Sequence, residues 1–258
     1  MFLLDEIKLP GVQRPVDLDQ PAAFRLHRKI LLSKPFLKRL YKDFYEVLGK
    51  TIAENPHGNF LEIGSGAGII KTIFPLVITS DVIAVEDIDI CCSALSISFK
   101  NDALDAIFML DTLHHLPNAT QFFNEAGRCL KTGGRVVMVE PANTWFARLI
   151  YQNFHHEVFD PNVEEWAFDS QGPLSSANGA LPWIIFKRDR GRFEKNFPNL
   201  RIISYRNHTP FRYLLSGGFT LKQLVPSWSY QSIKALEKLL TPFNDQIGLF
   251  TTIILEKN

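Results

Sequence analysis

No run in this chain approaches the ~18 apolar residues of a membrane-spanning helix. The opening stretch Met1-Phe2-Leu3-Leu4-Asp5-Glu6 sets acids where a secretory leader would need its apolar core, so a cytoplasmic location is expected. Charge of one sign is missing too. Lys and Arg total 28 against 27 Asp and Glu, which leaves no global field to recruit nucleic acid. Cysteine is scarce and unpaired in pattern: Cys91, Cys92 and Cys129 form no C-x-x-C pair and give an odd count. That excludes a disulfide framework and suggests packing roles in a reducing compartment, with Cys91-Cys92 inside an apolar run that reads as a buried strand. Internal repeats and low-complexity segments are also absent. What the chain does have is 258 residues, 46% of them hydrophobic, and 21 phenylalanines, enough for one α/β domain with a sizeable core.

Helical spacing runs through residues 22–54, with Phe24, Ile30, Leu31, Leu37, Leu40, Phe44 and Leu48 on recurring faces; Pro35 divides it into two helices. The lysines and arginines between them read as a solvated face, with peripheral membrane contact as the alternative. After the breaker Asn55-Pro56-His57-Gly58-Asn59 comes an apolar strand, Phe60 to Ile63, then a turn with glycines at 64, 66 and 68. A helix at 67–74 is expected next, followed by strands at 76–79, 88–92 and 106–110, a helix at 118–130 and a fifth strand at 135–140. Only about six residues separate Asp81 from the third strand, so the crossover helix there is expected to be missing. Residues 142–186 lack a single period and read as an insertion. Beyond them lie a helix at 187–196, a strand at 200–205, a helix at 229–240 and a last strand at 248–255.

The glycine turn narrows the ligand. Gly64 and Gly66 let the backbone turn tightly and approach a bound molecule. The dinucleotide pattern G-x-G-x-x-G fails because Ile69 stands where its third glycine belongs, while Glu62 sits at the strand end. Phe60-Leu61-Glu62-Ile63-Gly64-Ser65-Gly66-Ala67-Gly68 resembles motif I of the class I S-adenosylmethionine (SAM) dependent methyltransferases, of the type 11-like kind. Two further stretches extend the resemblance over residues 59–141: Leu113-His114-His115 after the fourth strand, and Leu130-Lys131-Thr132-Gly133-Gly134 before the fifth.

The resemblance implies an α/β fold, Rossmann-like, with a mostly parallel seven-stranded sheet, helices on both faces, N-terminal helices and an insertion after the fifth strand. The implied division is a helical cap at 1–54, a SAM-binding core at 55–141, a substrate-side insertion at 142–186 and the rest of the sheet at 187–258. It implies SAM as cofactor, held by Glu62, Gly64, Ser65, Gly66, Gly68, Asp81, Ser93, Ala94 and Asp111. Asp81 would accept the two ribose hydroxyls in charge-assisted hydrogen bonds. Ser93 departs from the family, which has an acid there for adenine, so a hydroxyl would have to take that bond.

Methyl transfer is in-line displacement and depends mostly on positioning and water exclusion. If the acceptor needs a base, the candidates are Asp111, His114 and His115 after the fourth strand and His155, His156 and Glu157 in the insertion; His114 and His155 are favoured as substrate-side groups. Asp111-x-x-His114-His115 also has the spacing of a metal motif found in some methyltransferases. Adjacent histidines on one turn do not readily aim at one ion, and no metal is assigned. The aromatics Trp145, Phe146, Tyr151, Phe154, Trp166, Trp183, Phe211 and Tyr213 wall a pocket for an aromatic or lipid-like small molecule, or else form a second small core. A methyltransferase acting on a small molecule is therefore the expected function, with no nucleic-acid partner and the oligomeric state open. A non-catalytic SAM-binding protein and a nicotinamide oxidoreductase are the rivals.

Overall fold

A computed structural model describes Leu9, residues 19–66, 69–155, 157–170, Gly172 and 176–258. Gly68 and His156 lie outside the described residues. Prolines start the first two helices: Pro21 opens α1 (Pro21–Ser33) and Pro35 opens α2 (Pro35–Glu54), where a missing N–H costs nothing. Each buries one stripe, Phe24, Ile30 and Leu31 on α1 and Phe36, Leu37, Leu40, Phe44 and Leu48 on α2. Four strands follow: β1 (Phe60–Ile63), β2 (Ile78–Asp81), β3 (Ile90–Cys91) and β4 (Leu104–Leu110). Asn118 caps α3 (Ala119–Cys129) by accepting from the Gln121 N–H at 3.0 Å, and β5 (Leu130–Pro141) comes next. Thr144 caps α4 (Trp145–Phe154) in the same way, through the Ala147 N–H. The chain closes with α5 (Arg190–Asn196), β6 (Leu200–His208), α6 (Arg212–Ser216), α7 (Tyr230–Leu239) and β7 (Phe250–Lys257).

The strands form one seven-stranded sheet in the order β3-β2-β1-β4-β5-β7-β6. β1 to β5 pair in parallel, and β7 runs antiparallel between β5 and β6. Strand order reverses between β1 and β4, both buried along nearly their whole length; in open α/β sheets that switch point opens a crevice at the carboxyl ends of the strands. Much of the aromatic load is core: Phe123 packs against Phe122, Phe186, Phe193 and Phe197, and Trp166 is buried with its indole N–H on Asp189 at 2.9 Å.

Three local expectations are corrected. Where a helix was expected at 67–74, the described residues hold only a single 3-10 turn, Ile70–Thr72. Four of Ile69 to Ile73 are β-branched, and Pro75 disfavours helical backbone at Phe74, so the segment has too little length and propensity for an α-helix. The second strand lies two residues later than expected, at 78–81. The third shrinks to Ile90–Cys91, leaving Cys91 exposed and only Cys92 buried. No helix links β2 to β3, as the short spacing implied; instead Asp89 folds back on Thr79, accepting from its N–H and hydroxyl at 2.9 and 3.0 Å.

Candidate active site

Gly64 follows β1 in left-handed backbone, φ +70°, and a Cβ there would stand 2.4 Å from the Thr112 methyl. Gly66 is also left-handed, φ +49°, and its N–H donates to Asp81 Oδ2 at 3.0 Å. Asp81 thereby ties the end of β2 to the glycine turn, and the Ile83 N–H adds a longer bond to Oδ1 at 3.3 Å. Ser65 strengthens the same junction: its hydroxyl accepts from the Ser80 N–H at 3.0 Å. A turn cross-linked this way is rigid before any ligand arrives, which lowers the ordering cost of binding.

These residues border a cavity of about 790 Å³, near the upper end of the ~300–1,000 Å³ usual for ligand pockets. Gly64, Ser65, Gly66, Asp81, Ser93, Ala94 and Asp111 are among its lining residues. Apolar and aromatic side chains also line it: Phe24, Ile30 and Leu31 from α1, Tyr41 and Tyr45 from α2, Tyr151 and Phe154 from α4, and Tyr213 and Phe219 from the 213–221 segment. Of the eight aromatics expected to wall it, only Tyr151, Phe154 and Tyr213 do so. Trp166 is buried in the core and Trp145 faces solvent. Phe24, Tyr41, Tyr45 and Phe219 line it as well, three of them from the N-terminal helices.

Two favoured residues are placed behind the wall. Glu62 is buried in β1 with neither carboxyl oxygen in a well-formed hydrogen bond, and burial together with the charge of Asp81 pushes its pKa up to about 8. It supports the glycine turn from beneath. His114 is 1% exposed and does not line the cavity, because the 3-10 turn Leu113–His115 points it inward against the end of β5. His115 and His155 line the cavity instead.

The buried His114 organises an ionic cluster. Its Nδ1 lies 2.7 Å from Glu140 Oε2 and its Nε2 3.4 Å from Glu157 Oε2. Glu140, absent from the expected set, accepts the Thr112 and Leu113 N–H groups on its other oxygen at 2.9 and 2.7 Å. Burial opposes charge on His114, but the two carboxylates outweigh it and raise its pKa well above the ordinary value. Glu157 is held well below the carboxylate range: burial opposes this, and the His114 hydrogen bond with the charges of His114, His115 and His155 prevails. His115 is lowered to about 4 by burial and by the neighbouring His114 charge. Asp111, in left-handed backbone at φ +57°, is raised to about 7 by burial, with Glu157 and Glu140 adding to the rise.

His114, His115 and Glu157 offer ligand atoms within 4.8 Å of one another, as do Asp111, His114 and Glu140. Both sets depend on His114, whose two nitrogens already face carboxylates.

A family model described as a methyltransferase domain matches residues 34–173. No curated protein sequence matches the chain. Among solved structures, geranyl diphosphate C-methyltransferase from Streptomyces coelicolor aligns with 15% identity and a TM-score of 0.50, over 90% of this chain and 83% of that one. A possible histamine N-methyltransferase from Thermotoga maritima aligns with 13% identity and a TM-score of 0.51, over 91% and 99%. At these identities the likeness is one of fold.

Proposed function

The chain belongs to the methyltransferase-domain family, and from that premise we propose that it moves a methyl group from SAM to a small molecule with an apolar body. The observation that carries this reading is the Asp81–Gly66 junction on the wall of a cavity large enough for two molecules. The chain's donors and acceptors fit the cofactor. Left-handed backbone at Gly64 and Gly66 clears space at the turn, and the Asp81 carboxylate, 5% exposed, keeps lone pairs beyond those its two backbone N–H groups occupy. Ser93 and Ala94 lie where an adenine edge would reach, and the Ser93 hydroxyl, which accepts the Leu95 N–H at 3.1 Å, still has a proton and a lone pair to offer.

When bound, SAM supplies an activated methyl on a sulfonium. The protein's part is to align and enclose. Side chains from α1, from Ile150, Tyr151 and Phe154, and from the 213–221 segment line the cavity, so they exclude water from the reacting pair. Asp111 and His155 line the cavity and are the groups in place to take a proton from an acceptor there, while Glu157 stays anionic.

Calorimetric titration with S-adenosylhomocysteine (SAH) tests the reading. Wild-type protein should bind it, and Asp81→Ala should weaken binding by roughly tenfold or more, the loss expected when charge-assisted hydrogen bonds go. NADH binding without SAH binding would overturn it.

A further inference from the structure

The charged groups on this cavity are lopsided. Among the described residues that line it there is no lysine or arginine, whereas Asp81, Asp111 and Glu157 all do. Asp81 is bonded to the glycine turn; Asp111 and Glu157, with His155, Tyr151 and Tyr213, also border a second, small cavity that adjoins the first. Behind them Glu140 adds another carboxylate, against one histidine, His114, lodged between it and Glu157. A phosphate or carboxylate on the acceptor would meet like charge and no cation. The geometry points to an acceptor that is an amine carried on an apolar, aromatic-sized body, recognised as its ammonium by Glu157 and Asp111.

Hydrogen-bond chemistry agrees. His115 Nδ1 lies 3.2 Å from the Ser176 carbonyl oxygen, which can only accept, so Nδ1 holds the proton and Nε2 presents a lone pair. Nε2 is 3.7 Å from Glu157 Oε1. An ammonium brings up to three N–H groups, which lone pairs on Nε2 and on the carboxylates accept. The surrounding rings suit a cation as well. Tyr41, Tyr151 and Tyr213 line the same cavity, and Tyr151 and Tyr213 share the small adjoining one with Asp111 and Glu157. Before it can react, the ammonium passes one proton to Asp111, the carboxylate of the pair that burial favours in its neutral form. The nitrogen lone pair then forms the N–C bond, the C–S bond breaks with its electrons left on sulfur, and the product nitrogen carries the positive charge.

This inference rests on the methyltransferase reading, and one experiment separates the two. SAH-loaded protein is titrated with 2-phenylethylamine, 2-phenylethanol and 3-phenylpropionate, which share one body and differ in charge. The amine should bind at least about tenfold more tightly than either of the others, and Glu157→Gln should bring it down to the level of the alcohol while SAH affinity stays within about twofold. Equal affinities, tighter binding of the carboxylate, or binding of none of the three would overturn the amine assignment, and the wild-type comparison decides even if Glu157→Gln does not fold. Failure to bind SAH with the amine preference intact would remove the methyltransferase reading and leave the cation pocket standing.

Discussion

Two buried ionic clusters stand in this molecule, and they are built to opposite ends. The first joins α2, α6 and α7. Arg212 contacts Asp43 and Glu237 and donates to the Tyr230 hydroxyl at 2.7 Å, Tyr230 donates to Asp43 at 2.7 Å, and Glu237 also accepts the Phe211 and Arg212 N–H groups at 2.9 and 2.8 Å. Its central cation is a guanidinium that does not titrate, and every partner is satisfied. The second is Glu140–His114–Glu157, whose central cation is an imidazole and whose outer carboxylate reaches a cavity. A permanent charge enclosed by acceptors makes a clamp. A titratable charge whose outer carboxylate lines a cavity is placed to respond to what enters it.

The contrast can be broken most forcefully at Arg212. Arg212→Met would leave Asp43 and Glu237 as buried carboxylates without their partner, an expected loss of about 3–5 kcal/mol in chemical denaturation. SAH affinity of the remaining folded protein should hold, because none of these groups lines the cavity. A loss of SAH binding matching the loss of stability would erase the distinction between clamp and site.

A smaller effect, with a pH signature, is expected at Glu140. Glu140→Gln removes the charge that holds the His114 proton and disturbs two backbone hydrogen bonds, costing roughly 1–3 kcal/mol. The sign in the wild type follows from the shifts. His114, raised in the folded state, contributes fully below the unfolded value near 6.5, and that contribution fades as pH rises through the folded value. Glu157, lowered in the folded state, contributes fully above about 4.5 and fades as pH falls through its folded value. The pair is therefore strongest between those limits. Imidazole NMR titration should show His114 losing its proton at lower pH in Glu140→Gln; an unchanged titration would mean that Glu140 does not set the charge.

The smallest effect is expected at the clamp's rim. Lys234 reaches Asp43 at 2.8 Å, but its side chain is 42% exposed, so Lys234→Ala should cost no more than about 1 kcal/mol. A larger loss in thermal denaturation would show that the clamp depends on its edge.

Much of the fold was legible because it rests on local pattern. The apolar runs at Phe60–Ile63, Leu104–Leu110 and Arg135–Glu140 need two covered faces, and Pro35 splits the first helices wherever the rest of the chain goes. The glycine turn and Asp81 were legible as well, since turn chemistry and a carboxylate after a strand stay near each other in sequence. The 3-10 turn at 70–72 was not, because the apolar stretch after the glycines read as a helix despite its β-branched residues and Pro75. The pairing of distant residues escaped for a different reason. Glu140 and His114 are 26 residues apart, and Tyr41 joins Phe219 edge-on across far more of the chain. No spacing rule links such partners.

The sequence by itself determined a seven-stranded α/β sheet and a glycine turn with a carboxylate beside it, since hydrophobic period and backbone freedom are properties of short segments. Only the tertiary structure decided which histidines line the cavity, which one is buried between carboxylates, and which carboxylates the cavity exposes. Charge state depends on burial and on neighbours within a few ångströms, and the folded chain alone sets those.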